Sequence, residues 1–320
     1  MGGATNERMS RWDLDRDLDE GVARRLHRFL GVRNSGWLPP LQMMMWMRSS
    51  RVSRAAAAVR KQIADFLARH GTDHPPPPIL LRGEVGVGKS LLAQLIHHAG
   101  PRPDGPFVVF DCAATPSFLH ETVLFGLAPG GFTPPRPGLF QRAHGGTLFI
   151  DGVGCLAAEL QHPRLPPSGI LRALEERSVR RIGSASNQPA EPAAVWIIAA
   201  TYEDLRAAVH KGRSPNDLYQ KLGQLDLQIP PLRKRPHDIP FLAEYYLALV
   251  CDKAHLPPKS VAADARRALL AYPWPGNVRE VRAVIERVAL HFAKNDVITA
   301  AMLALPNLNA PAARPRRIRR

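Results

Sequence analysis

One octapeptide limits what this chain can fold into more than any other stretch: Gly83-Glu84-Val85-Gly86-Val87-Gly88-Lys89-Ser90. It satisfies G-x-x-x-x-G-K-[ST] at every fixed position, follows a short apolar run at 79–81 and opens a helical stretch at 91–98. Each constraint has a physical origin. The glycines let backbone N–H groups turn inward around phosphates, and the helix behind them presents its positive end to the same charge. Lys89 is placed to reach the β- and γ-phosphates, and Ser90 offers a hydroxyl to Mg²⁺. The loop therefore calls for ATP and Mg²⁺ as cofactors. A companion carboxylate is expected at the end of another buried strand, and Thr147-Leu148-Phe149-Ile150-Asp151 supplies it, with Asp151 as the Mg²⁺-side ligand. ATPases of this type place a glutamate next to polarise the attacking water. Here the next residue is Gly152, which has no side chain for that task.

Around the loop the pattern alternates. Compact apolar strands are expected at 79–81, 107–110, 147–150 and 195–200, with helical stretches between them. That alternation predicts an α/β fold: a parallel sheet flanked by helices, with ligand at the carboxyl ends of its strands. After Pro236 the strands stop, and helical segments at 239–254, 262–271 and 277–294 predict a small all-α domain. The expected organisation is an N-terminal extension at 1–50, a nucleotide-binding α/β domain at 51–235, a helical lid at 236–305 and a basic tail at 306–320. Within the extension, 13–30 has helical spacing of its apolar residues. Met43-Met44-Met45-Trp46-Met47 suits either a deformable partner surface or packing on the neighbouring domain.

The net charge is +15, part of it carried by Arg314, Arg316, Arg317, Arg319 and Arg320. Such a tail fits non-specific phosphate contact as well as a solvated surface, since no DNA-reading helix or aromatic interleaving accompanies it. Three widely spaced cysteines suggest neither a zinc site nor a disulfide framework. No stretch approaches the ~20 apolar residues that span a bilayer. A cytoplasmic protein without membrane contact is expected.

Further separated motifs give the chain a family resemblance. Gly105-Pro106-Phe107-Val108 with Asp111-Cys112-Ala113-Ala114, Leu124-Phe125-Gly126, Gly145-Gly146 before the Asp151 strand, and Ile197-Ile198-Ala199-Ala200-Thr201 are four of them. Pro230-Pro231-Leu232-Arg233-Lys234-Arg235 with Asp238-Ile239, and Trp274-Pro275-Gly276-Asn277-Val278-Arg279-Glu280, are two more. From about 52 to 298 the sequence resembles the AAA+ domain of sigma-54-dependent transcriptional activators. The resemblance implies a ring of like or related subunits that binds ATP between them, regulates transcription, and drives loops into sigma-54 RNA polymerase. It assigns Arg279 the sensor II role, touching the γ-phosphate, a task suited to a fixed guanidinium fork. It makes Phe132 and Thr133 the residues of the sigma-54-contacting loop.

The departures from the family pattern are equally informative. The remodelling loop reads Gly130-Gly131-Phe132-Thr133-Pro134-Pro135, with two prolines stiffening its tip. The positions of the trans-acting arginines hold Pro215 and Lys221, and Lys221 keeps charge without the bidentate fork. Arginine fingers of this kind are worth roughly 10³-fold or more. Arg213 lies nearby as a substitute. The sensor I asparagine is Tyr202, and the asparagine that switches the catalytic glutamate is Asp111, which is itself a candidate replacement base. The combined changes predict nucleotide binding with weak hydrolysis, as in a regulatory or assembly subunit. The competing expectation is a working ATPase in which Asp111, Lys221 or Arg213 compensates. The segment before the loop domain is short for a receiver domain, and no Fis-like helix-turn-helix follows the lid, so sequence-specific DNA contact is not expected.

Overall fold

The computed structural model describes residues 54–70, 76–129, 134–157, 160, 169–185, 187–203 and 216–306. The expectations for the N-terminal helix, the methionine run, Phe132, Thr133, Arg213, Pro215 and the arginine tail lie outside the described residues. Helix α1 (Arg54–Arg69) buries Val59, Ile63, Phe66 and Leu67, whose i, i+4, i+7, i+8 spacing makes a single apolar stripe. Next come β1 (Ile79–Arg82), α2 (Lys89–Ala99), β2 (Phe107–Asp111) and α3 (His120–Phe125). They are followed by β3 (Thr147–Asp151), α4 (Ile170–Glu176), β4 (Trp196–Thr201), α5 (Asn216–Leu222) and β5 (Leu225–Gln228).

The five strands form one all-parallel sheet in the order β2-β3-β4-β1-β5. Every residue of β4 is buried, as are the first four of β3, because helices cover both faces of a parallel sheet. β2, at one edge, is largely half-exposed. The α/β expectation holds, and four strands fall where the apolar runs placed them. β5 escaped notice. Leu225–Gln228 pairs in parallel with β1, and Arg82 Nε donates to Asp226 Oδ1 at 2.6 Å.

The C-terminal region is helical. Helices α6 (Asp238–Lys253), α7 (Ala263–Ala271) and α8 (Asn277–His291) enclose a second core that includes Leu242, Tyr246, Val281, Ile285 and Val288. Trp274 is wholly buried, with its indole N–H donating to Leu269 O at 2.8 Å. The expectation that strands end at Pro236 needs one correction. Ser260–Val261 pairs in parallel with Val297–Ile298 inside this region. A two-residue pairing across so long a separation has no periodicity to read in sequence.

Candidate nucleotide site

The loop at 83–88 hangs between β1 and α2 at the carboxyl end of the sheet. Gly83 N–H donates to Thr201 O at 3.2 Å, fixing the loop to the end of β4. Gly86 and Gly88 have φ of +79° and +106°, which side-chain-bearing residues adopt only with strain. Lys89 is buried and folds back into the loop, its Nζ donating to Gly83 O at 2.8 Å and Glu84 O at 3.0 Å. Burial pushes its amine below the usual lysine range. The Asp151 charge opposes that shift, and nearby Arg279 adds to it. An ammonium held only by carbonyl oxygens is poised to exchange them for phosphate oxygens.

Ser90 Oγ donates to Asp151 Oδ2 at 2.9 Å. This hydroxyl and carboxylate are hard oxygen donors, the set that suits Mg²⁺ bound partly through phosphates and water. Asp151 is the register partner of Asp111 on β2, so two carboxylates end adjacent strands. One Asp111 oxygen is already engaged: Oδ1 accepts the N–H groups of Ala113 and Ala114, each at 3.0 Å.

The helical region closes over the loop through residues of the two C-terminal family motifs. Arg233 makes a bidentate pair with Glu84, at 2.8 and 2.6 Å. That pairing, with Asn277 contributing, holds the Glu84 carboxyl down to about 2 against the opposing effect of its partial burial. Arg235, nearly fully buried, donates from Nη2 to Val87 O at 3.0 Å and pairs with Asp238 through Nη1. Helix α8 has no side-chain cap. Asn277 N–H donates to Trp274 O at 2.9 Å, and the next two N–H groups, those of Val278 and Arg279, point to Gly86 O at 3.0 and 3.3 Å. A Cβ on Gly86 would lie 2.2 Å from Gly276 O, so the middle glycine is required as much by the docked helix as by its own φ. Arg279 is thereby seated against the loop and close enough to Lys89 to depress it.

The hydrolytic side differs. Gly152 has φ +74°, and a Cβ there would make only ordinary van der Waals contacts, 3.9–4.0 Å from Cys112 and Ala113, so the obstacle to a glutamate is backbone conformation, not crowding. Tyr202, half-exposed, faces Cys155, with the hydroxyl 3.6 Å from Sγ. The Glu203 carboxylate reaches back toward Gly154, Oε2 lying 3.0 Å from where a Cβ on that glycine would be. Nothing in the motif reading had singled out Glu203. Lys221, on α5, turns to Glu175 of α4 at 3.3 Å. It lines a cavity with Pro78 and Val195, the residues that precede β1 and β4, at the amino end of the sheet. The loop, Asp151, Asp111 and Arg279 thus come together, and Lys221 stands apart from them.

Comparison with known proteins gives the family and the fold. The sigma-54 interaction domain family matches residues 52–228, and the AAA+ ATPase lid domain family matches residues 233–317. The chain belongs to the sigma-54 interaction domain family. It is 42% identical over 213 residues to the response regulator protein PilR of Pseudomonas aeruginosa, covering 66% of this chain and 46% of that protein. It is 40% identical over 227 residues to the transcriptional activator RocR of Bacillus subtilis, covering 70% of this chain and 47% of that protein. The chain therefore spans about half the length of these curated relatives. Among solved structures, NtrX from Brucella abortus in complex with ATP superposes with a TM-score of 0.68 at 28% identity, covering 89% of this chain and 60% of that one. Among the described residues, no helix is long and apolar enough to cross a membrane.

Proposed function

We propose that this sigma-54 interaction domain protein binds ATP with Mg²⁺ on the loop at 83–90 and acts in transcription regulation with weak intrinsic hydrolysis, as a regulatory or assembly subunit of a ring. The observation that carries this reading is a complete phosphate-binding half beside an incomplete hydrolytic half. Lys89, Ser90 and Asp151 stand ready in one place, and the residue after Asp151 is a left-handed glycine. In this reading Lys89 and the loop N–H groups hold the phosphates. Ser90 and Asp151 hold Mg²⁺, which would neutralise phosphate charge, and Arg279 reaches the terminal phosphate from the lid. The ATP bound by NtrX supports the choice of nucleotide. The family's name makes sigma-54 RNA polymerase the first partner to test, and a second copy or a related subunit is the natural ring neighbour.

Hydrolysis would lack three groups at once: the water-polarising carboxylate at Gly152, the sensor asparagine at Tyr202, and a trans-acting guanidinium, since Lys221 is engaged by Glu175. The competing reading is a working ATPase. It draws on Asp111 and Glu203, carboxylates at the ends of the strands that flank β3, and on Arg213 or Lys221 as the finger.

Mg·ATP binding and steady-state phosphate release, measured on one sample with Lys89→Ala as control, separate the two readings. Lys89-dependent binding with turnover near the control level supports the regulatory subunit. Lys89-dependent turnover at rates usual for ATPases overturns it.

A further inference from the structure

Asn277 is the most heavily committed side chain at the junction between loop and lid. It is fully buried and sits at φ +52°, a left-handed conformation that asparagine tolerates better than most non-glycine residues. Its amide serves both sides of the junction. Oδ1 accepts the N–H of Leu232, in the connection between sheet and lid, at 2.7 Å. Nδ2 donates to Glu84 Oε2 at 3.2 Å and to Val85 O at 3.0 Å, both in the phosphate loop. The next two residues, Val278 and Arg279, give their N–H groups to Gly86 O.

We infer that Asn277 is a positioning residue for nucleotide: by tying Glu84 and Val85 to the first turn of α8, it sets Arg279 against the loop and makes ATP affinity depend on the lid. The inference rests on the reading that the loop binds ATP. The chemistry is directional. The asparagine amide offers an acceptor to Leu232 and, on the opposite atom, a donor to the Glu84 carboxylate and to Val85 O. Aspartate has nearly the same shape and also tolerates positive φ, but it would place a carboxylate beside Glu84. Arg233, already bidentate on Glu84, would then face two carboxylates, and the donor to Val85 O would be gone. Glycine accepts φ +52° freely and removes every side-chain bond while keeping the backbone turn.

The test uses the full chain, with titration of Mg·ATP and amide hydrogen exchange of the nucleotide-free protein. Asn277→Asp and Asn277→Gly are each expected to weaken Mg·ATP binding about tenfold and to speed exchange at Val278 and Arg279. Exchange within β3 and β4 should stay as in the parent. Adding Glu84→Gln to Asn277→Asp swaps donor and acceptor across the same contact, and should recover a substantial part of the lost affinity. A merely structural role would not produce that rescue. Unchanged affinity in both single variants, or no recovery in the double variant, overturns the inference while ATP binding by the parent stands. A parent that does not bind Mg·ATP overturns the functional reading itself. Exchange accelerated equally through the sheet would mean a general loss of fold, and would also count against a positioning role.

Discussion

The two halves of the nucleotide site have diverged differently. On the phosphate side, the loop glycines, Lys89, Ser90, Asp151 and the lid contacts from Arg233, Arg235 and Asn277 form one hydrogen-bonded unit. On the hydrolytic side, Gly152, Tyr202 and Lys221 occupy the positions where the family pattern implies glutamate, asparagine and arginine. The contrast has a physical logic. Holding phosphates is done largely by backbone N–H groups and a few charges, and those charges here are anchored to one another. Turning over ATP needs a carboxylate, a switch and a trans-acting cation placed together, so losing any one leaves the others with little effect.

Four experiments sharpen or break this contrast. The largest effect is expected from Lys89→Ala, which removes the only ammonium in the loop. Mg·ATP affinity should fall roughly 100-fold by titration calorimetry, and a change of less than threefold would end the phosphate-side reading. Second, Ser90→Ala and Asp151→Asn each remove one member of the 2.9 Å pair. Binding should become about tenfold weaker in Mg²⁺, with little change when the metal is chelated. An equal loss under both conditions would mean the pair does not serve a metal.

Third, Gly152→Glu tests the hydrolytic side. Because φ there is +74°, the substitution should destabilise the fold by roughly 1–2 kcal/mol in denaturant unfolding. It should raise turnover less than tenfold, since the finger and sensor groups remain absent. A hundredfold gain would show that one missing carboxylate was the whole defect. The smallest effect concerns pH. Glu84 titrates near 2 in the fold against an ordinary 4.5. Its pairing therefore contributes fully above about 4.5 and is lost as pH falls toward 2. Glu84→Gln should flatten the fall in stability across that window, read by thermal unfolding at stepped pH. An unaltered slope would mean that the exposed Arg233–Glu84 pair adds nothing measurable.

Much of the molecule is legible in its sequence, because the signals are local. A glycine-rich octapeptide between strand and helix, four apolar runs and a separate set of helical periods suffice for a parallel sheet with a helical lid. They also suffice to name the loop and Asp151 as candidates, whereas Arg279 and the departures at Tyr202 and Lys221 come from the resemblance to the sigma-54 activators. Folding decided what depends on contact across distance. Strand β5 is a strand because β1 lies beside it and pairs with it in parallel. Gly86 must be glycine because Gly276 lies against it. Glu203 reaches Gly154 across two strand ends, and Lys221 turns to Glu175. Above all, Asn277 bonds to Glu84 and Val85, nearly two hundred positions earlier in the chain. Such pairings leave no periodicity in the sequence. They exist only when the closed fold brings the two partners together, whether buried, as at Asn277, or at the surface, as at Lys221 and Glu175.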